Sequence, residues 1–187
     1  MNMIMRKVII IISLLGLSNT SIFSNNSIDK ILEKYKNDTI IYKKLLDFMS
    51  KEIEKTMYLA DKNQEDVINK AETYLGTPHC MGGLTKECID CSGLLVAVFK
   101  ELGIYLPHDS EEQACYGKII VNPEDLKEGD LVFFIRTYNT SKLITHSGIY
   151  IGENRFIHTS SGSGVSFASI IGDLYWGDKF IFGTRMF

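Results

Sequence analysis

The tetrapeptide Asp90-Cys91-Ser92-Gly93 places a cysteine where the sequence predicts the start of a helix. Asp90 is a typical N-cap residue, and apolar residues recur at helical spacing downstream, at Leu94, Leu95, Val98, Phe99 and Leu102. Free backbone N–H groups and the helix dipole favour a negative charge there and lower a thiol pKa. We therefore expect Cys91 to attack an acyl carbon while backbone N–H groups hold the oxyanion; a buried, inert cysteine is the alternative.

Two of the four histidines, His146 and His158, flank a predicted turn at Gly152-Glu153-Asn154. A three-residue loop with Asn154 in the left-handed region pairs Ile151 with Arg155. The two histidines then lie on one face of the hairpin as diagonal neighbours, close enough for contact. A two-residue turn would place them on opposite faces. The first geometry supplies the base that a cysteine nucleophile needs and a partner that orients the base.

The elements that position these residues come in the order helices, then strands. Helices are predicted over residues 64–75 and 91–102, and the strands over residues 130–135, 143–151, 155–160, 165–170 and 180–186. This order predicts an α+β fold in which an antiparallel sheet packs against the helix that carries Cys91.

The N-terminus has the pattern of a secretory leader. Arg6 and Lys7 precede an apolar run over residues 8–17, and small and polar residues follow. The run is short for a bilayer span. We expect export to the periplasm, the cell wall or the extracellular space, with a retained short anchor as the alternative. After removal of the leader, we expect a monomer with no stable membrane partner.

We divide the chain into a leader (residues 1–24), a helical N-terminal extension (25–63) and a catalytic domain (64–187). The extension contains no glycine or proline, and its apolar residues follow helical spacing, at Ile28, Ile31, Leu32, Tyr35, Leu45, Leu46, Met49, Ile53 and Met57. A break is predicted at residues 37–39. A partly mobile linker with helical tendency is the alternative for this segment.

The composition argues against nucleic acid as a partner. The 187 residues carry a formal net charge of −3, and neither a block of Lys or Arg nor a nucleic-acid-binding motif is found. With 45% hydrophobic residues, the chain is typical of a globular protein rather than a disordered one.

Ordered motifs from about Asp66 to Phe187 resemble the NlpC-type cysteine peptidases of bacterial cell walls. They are Gly76-Thr77-Pro78-His79, Gly82-Gly83, Asp90-Cys91-Ser92-Gly93-Leu94, Gly103-Ile104, Leu106-Pro107, Gln113, Gly129-Asp130-Leu131-Val132-Phe133-Phe134, His146-Ser147-Gly148-Ile149-Tyr150-Ile151-Gly152 and Phe156-Ile157-His158. Their order and spacing together are specific to the family, whereas Asp-Cys-Ser-Gly alone is not.

The resemblance implies a papain-like α+β fold with Cys91 as nucleophile, His146 as general base and His158 as the residue that orients His146. It implies cleavage of peptidoglycan peptide stems at the γ-D-glutamyl–diamino acid bond through a thioester, with no metal or cofactor. Asp90 and Ser92 would border the substrate. A non-catalytic peptidoglycan-binding protein, or an amidase or acyl-transfer enzyme with the same triad, is the alternative.

Three positions depart from the family pattern. His79 stands where the family commonly has Tyr, and His108 where Arg usually follows Leu-Pro; we expect both to line the substrate site. Cys88 replaces a common Gly, which creates a Cys-x-x-Cys with Cys91 and leaves redox or zinc chemistry open, with His79 or Cys80 as further zinc ligands. A Cys80–Cys88 disulfide and an inactivating Cys88–Cys91 bridge are also open. We expect Cys115 to serve packing.

Overall fold

The computed structural model describes residues 26–59 and 61–187, so the predicted leader lies outside the described part. The helices are α1 (Asn26–Tyr35), α2 (Thr39–Met49), α3 (Gln64–Glu72), α4 (Cys91–Glu101), α5 (Ser110–Gln113) and α6 (Trp176–Lys179), with a 3-10 turn at Pro123–Asp125. The strands are β1 (Lys118–Ile120), β2 (Leu131–Phe134), β3 (His146–Tyr150), β4 (Arg155–Ser160), β5 (Gly164–Ser169) and β6 (Phe180–Arg185). None of the helices in the described residues is both long and apolar enough to span a membrane.

The strands form one six-stranded sheet in the order β1-β6-β2-β3-β4-β5, and every neighbouring pair is antiparallel. Helix α4 packs against β3 and β4. Leu94, Leu95, Val98 and Phe99 of α4 are fully buried, because its apolar stripe faces the core that the sheet closes from the other side. The predicted α+β fold is confirmed, and it places the start of α4 beside the start of β3.

Helices α1 and α2 are part of the same apolar core. Ile31, Leu45 and Phe48 are buried, and the Phe48 ring contacts Phe182 of β6 at a centroid distance of 5.8 Å. The predicted break between the helices is confirmed: the Asp38 side chain caps α2 by accepting a hydrogen bond from the backbone N–H of Ile41.

The prediction that the helical pattern runs on through Ile53 and Met57 is wrong. Helix α2 ends at Met49, where Ser50 caps it by donating its N–H and hydroxyl back into the last turn. The following segment is not helical because Lys55 exchanges backbone hydrogen bonds with Cys115 and Gly117 instead. Ile53 and Met57 still pack against the core.

Several other element boundaries differ from the predictions, most of them by a single residue. Helix α3 ends at Glu72 rather than at residue 75, and strand β1 was not predicted because three residues carry too little periodicity. Strand β3 begins at His146 rather than at residue 143. The backbone N–H groups of Leu143 and Ile144 bond the Glu111 carboxylate, at 2.7 and 3.3 Å, in place of a strand partner.

Candidate active site

Asp90 organises the start of α4. Its carboxylate accepts hydrogen bonds from the N–H of Gly93 (2.6 Å), the hydroxyl of Ser92 (3.1 Å), the N–H of Gly82 (2.7 Å) and Nε2 of His108 (2.9 Å). Burial alone would raise the pKa of Asp90, but the hydrogen bonds from His108, Gly93 and Gly82 outweigh it and hold that pKa below its ordinary value. The charged carboxylate thereby fixes the first turn, on which Cys91 sits.

Cys91 opens into a cavity of about 690 Å³. Its Sγ lies 3.8 Å from Oγ of Ser110, which in turn lies 3.1 Å from Oγ of Ser147 on β3. Burial raises the pKa of the Cys91 thiol, and the neighbouring charge of Asp90 raises it further. Hydrogen bonds from Ser110 and from the backbones of Ser147 and Ser92 act in the opposite direction but do not outweigh these effects.

The expectation that the helix start lowers the thiol pKa is therefore wrong for the resting protein. The helix N-terminus is present as predicted, but the sulfur is shielded from water and its N-cap residue is an anion. Both effects disfavour a second negative charge at this point. Cys91 therefore rests as a neutral thiol, which would need a base to act as a nucleophile.

The β3–β4 hairpin carries both histidines and has the predicted register. Gly148 lies opposite His158 and the N–H of Ile151 bonds the carbonyl of Arg155, as a three-residue turn requires. Asn154 is left-handed, as predicted (φ 60°). The ring of His146 contacts that of His158, with Nε2 of His146 2.9 Å from Nδ1 of His158.

The contact between the two histidines determines what His146 can do. With Nε2 bonded to His158, the Nδ1 atom of His146 remains for a second partner, and His146 lines the same cavity as Cys91. His158 is not among the residues that line this cavity; it lies behind His146. His146 thus has one ring nitrogen bonded to His158 and one ring nitrogen left for a partner in the cavity.

Burial keeps both imidazoles neutral. It lowers the pKa of His146 well below its ordinary value, an effect that His158 and His79 strengthen, and it lowers the pKa of His158 to about 4. The apolar surroundings include Trp176, whose ring centroid lies 4.8 Å from that of His146 and 4.7 Å from that of His158. Near neutral pH, His146 is therefore unprotonated and has a free lone pair, although burial also lowers its basicity.

Trp176 was not recognised in the sequence as a residue of the site. It is the single tryptophan in the chain and lies far from the motif residues, just before the last strand. That rarity is the only signal the sequence offers. Ser110 was also missed, because contact with Cys91 depends on how the loop before α5 folds across the start of α4.

All four residues expected at the substrate site line the cavity together with Cys91 and His146: His79, Asp90, Ser92 and His108. Asp90 and His108 are bonded to each other. At the start of α4, the N–H groups of Gly93 and Leu94 bond the side-chain and main-chain oxygens of Asp90. The N–H groups of Cys91 and Ser92 are not used by this cap, and that of Ser92 reaches the Cys91 sulfur.

Cys80 and Cys88 form a disulfide, whereas Cys91 and Cys115 are free. The open alternatives of a Cys88–Cys91 bridge and of zinc held by the thiolates of Cys80 and Cys88 are therefore not realised in this state. Within residues 26–59 and 61–187, no group of three or more His, Cys, Asp or Glu residues is placed to hold a metal ion. Cys115 is fully buried in the core, which fits the packing role expected for it.

The disulfide closes a loop that packs directly against the catalytic helix. The Asp90 N–H bonds the carbonyl of Gly83, and that same oxygen would lie only 2.0 Å from a Cβ added at Gly93. Only glycine at position 93 permits this approach. Met81, at the tip of the loop, is largely exposed and lines the cavity.

Comparison with known proteins gives a family match over residues 76–185, to the model described as the NlpC/P60 family. The chain is 43% identical over 123 residues to gamma-DL-glutamyl hydrolase of Bacillus subtilis, covering 65% of the chain and 29% of that protein. It is 38% identical over 115 residues to murein DD-endopeptidase MepS/murein LD-carboxypeptidase of Escherichia coli K12, covering 61% and 58%. The chain thus spans less than two thirds of either relative.

A solved structure shares the fold. The crystal structure of an NlpC/P60 family protein from Bacillus cereus matches with a TM-score of 0.60 and 27% identity, covering 68% of this chain and 41% of that one. The family match includes Cys91, His146 and His158 and the strands and helix that carry them. The resemblance predicted from the ordered motifs is confirmed, and the chain belongs to the NlpC/P60 family.

Proposed function

We propose that this protein is a cysteine peptidase that hydrolyses the peptide stems of bacterial peptidoglycan, with Cys91 as nucleophile, His146 as general base and His158 as the residue that orients His146. One observation carries the proposal. The 2.9 Å contact between His146 and His158 holds a neutral imidazole in the cavity into which Cys91 opens. A nucleophile, a base and an orienting group are the minimum set for acyl transfer by a thiol.

The reaction begins with two neutral partners. Nδ1 of His146 takes the thiol proton as Sγ of Cys91 attacks the carbonyl carbon of the stem peptide. The oxyanion is held by the N–H groups of Cys91 and Ser92 at the start of α4. The intermediate then collapses to a thioester as the amine leaves with the proton from His146. Water, deprotonated by His146, hydrolyses the thioester to a carboxylic acid and restores the thiol.

The substrate assignment rests on two supports. One relative is named a gamma-DL-glutamyl hydrolase and another a murein endopeptidase, so both names describe acyl chemistry on peptides with D-amino acids. The resemblance adds the γ-D-glutamyl–diamino acid bond. Such a substrate lies outside the cytoplasm, which fits export directed by the predicted leader.

Incubation with the stem tetrapeptide L-Ala-γ-D-Glu-diamino acid-D-Ala, followed by mass spectrometry, tests this proposal. We expect the dipeptides L-Ala-D-Glu and diamino acid-D-Ala as products. Release of a sugar–lactyl fragment from an intact muropeptide instead would indicate an amidase. Binding without any cleavage would support the non-catalytic alternative and contradict the proposed function.

A further inference from the structure

The connection between β2 and β3, residues 135–145, forms one wall of the catalytic cavity. Tyr138 and Lys142 of this connection line the cavity. The same two residues, with Thr145, also line a second hollow of about 380 Å³ between the connection and helix α2. The two hollows therefore share the side chains of Tyr138, Lys142 and Thr145 and lie next to each other.

Helix α2 holds this connection in place. Nζ of Lys44 donates hydrogen bonds to the backbone carbonyls of Thr140 (2.6 Å) and Lys142 (3.1 Å). Arg136 forms an ion pair with Asp38, the N-cap of α2. Helix α2 precedes the family match at residues 76–185, so this chain adds a structural support that lies outside the family region.

The second hollow is positively charged although the chain is acidic. Lys44, Arg136 and Lys142 line it, and none of its lining residues is Asp or Glu; the whole chain has a net charge of −3. We call the hollow lined by these three residues the cationic groove. Lys44 contacts backbone carbonyls rather than a carboxylate within the described residues, so its charge is not cancelled there.

A ligand carboxylate can compete for the cations that form ion pairs around the groove. Lys142 pairs with Asp109 and Arg136 pairs with Asp38, and both cationic side chains are about half exposed. Exposed pairs of this kind contribute little to stability, so a ligand carboxylate can replace or share the existing partner at small cost. Tyr138, half exposed between the cationic groove and Cys91, offers a hydroxyl and an apolar ring on the path.

We propose that the cationic groove is a substrate subsite that binds a free carboxylate of the stem peptide while the scissile bond lies at Cys91. This inference rests on the proposed function and gives the N-terminal helices a role in it: α2 sets the position of Lys142 and completes the charge of the subsite with Lys44. The chemistry required of the ligand is a carboxylate within reach of the cavity. With lysine as the diamino acid, the stem tetrapeptide has two, on the glutamyl α-carbon and at the C-terminus.

Peptide binding to the Cys91→Ala protein, which should not cleave its ligands, tests the inference without depending on turnover. Three peptides are titrated by calorimetry: the free tetrapeptide, its glutamyl α-amide and its C-terminal amide. We expect one of the two amides to bind about tenfold more weakly than the free peptide, because one charge-assisted contact is lost. The identity of the weaker amide shows which carboxylate the groove takes.

Two substitutions are compared in the Cys91→Ala background. Lys142→Met removes a charge of the cationic groove, and Lys43→Met is the matched control. Lys43 is exposed on α2 and does not line the groove. Lys142→Met should remove the difference between the free peptide and the sensitive amide, whereas Lys43→Met should keep it. Equal binding of all three peptides, no binding of any, or a difference that survives Lys142→Met would each overturn the subsite.

Failure of the proposed function is distinguishable from failure of this inference. If the wild-type protein cleaves both amides as fast as the free tetrapeptide, the peptidase assignment stands and the subsite is refuted. Carboxylate-dependent binding without any cleavage by the wild-type protein would refute the peptidase assignment and retain the subsite.

Discussion

The two sides of the cavity that holds Cys91 and His146 differ in polarity. On the histidine side, aromatic rings surround His146 and His158: Trp176, Phe134 and Phe156 all lie within 6.0 Å between ring centroids of one or the other. On the cysteine side, Cys91 is surrounded by hydrogen-bonding groups, namely Asp90, Ser92, Ser110 and the backbone of Ser147. The first side is apolar and the second is polar.

This difference shows how the resting protonation state is set. Burial keeps the histidines uncharged, and burial together with the neighbouring Asp90 carboxylate keeps the thiol protonated. The pair therefore rests as thiol and imidazole rather than as an ion pair. Under the proposed mechanism, proton transfer accompanies substrate attack, and each side of the cavity can be perturbed separately.

On the histidine side, the largest effect should come from removing the proposed base. His146→Gln retains a side chain of similar polarity but cannot accept the thiol proton, so the cleavage rate should fall by about 10³-fold or more. Rates with the stem tetrapeptide measure this. A melting temperature close to that of the wild-type protein would show that the fold is intact, and a rate within tenfold of the wild-type rate would exclude His146 as the base.

On the cysteine side, Gly93→Ala should displace the catalytic helix from the disulfide-closed loop. The new Cβ would meet the Gly83 carbonyl at 2.0 Å, so we expect a loss of about 3 kcal/mol in the free energy of unfolding. Denaturant unfolding measures it. Gly162→Ala is the control, because an added Cβ there meets nothing within 4 Å. Equal stability of the two variants would contradict the close contact.

The burial of His158 makes stability depend on pH. The unfolded imidazole binds a proton near pH 6.5, but the folded one does so only near pH 4, so acid stabilises the unfolded chain alone. Lowering the pH from 7 to 5 should cost about 2 kcal/mol from this residue. Urea unfolding at both pH values, compared with His158→Gln, measures the contribution. If His158→Gln loses as much stability between pH 7 and pH 5 as the wild-type protein does, the loss does not come from His158.

The smallest effect is expected at Ser110, on the cysteine side. Its hydroxyl is one of the few groups that favour the thiolate, so Ser110→Ala should raise the thiol pKa further. Alkylation of Cys91 by iodoacetamide at pH 7 should slow about threefold. Peptide mass spectrometry resolves Cys91 from buried Cys115. Exposed Ser163→Ala is the control; an unchanged alkylation rate in Ser110→Ala would remove Ser110 from the thiol environment.

Local signals in the sequence predicted much of the site. The register that joins His146 to His158 follows from a turn of three residues with Asn154 in a left-handed conformation, and both are local properties. The start of α4 follows from Asp90 as N-cap and the apolar periodicity after it. Each depends on fewer than a dozen neighbouring residues, which is why sequence reasoning succeeds there.

Features that depend on distant contacts were not predicted. The thiol pKa depends on how much water the fold removes from Cys91, and the packing of Trp176 on His146 joins residues 30 positions apart in the sequence. The hold of α2 on the β2–β3 connection depends on Lys44 meeting Thr140. Periodicity and motifs carry no information about such pairs, so the cationic groove is visible only in the folded chain.

The most direct test of the catalytic assignment compares Cys91→Ala with Cys115→Ala, since these are the two free cysteines of the described residues. Initial rates are measured with the stem tetrapeptide by quantifying its dipeptide products. Cys91→Ala should lose at least about 10⁴-fold in rate, because no other group can form the thioester. Cys115→Ala should stay within about threefold, because a buried packing residue affects stability rather than chemistry. Retention of the wild-type rate by Cys91→Ala would contradict the proposed nucleophile.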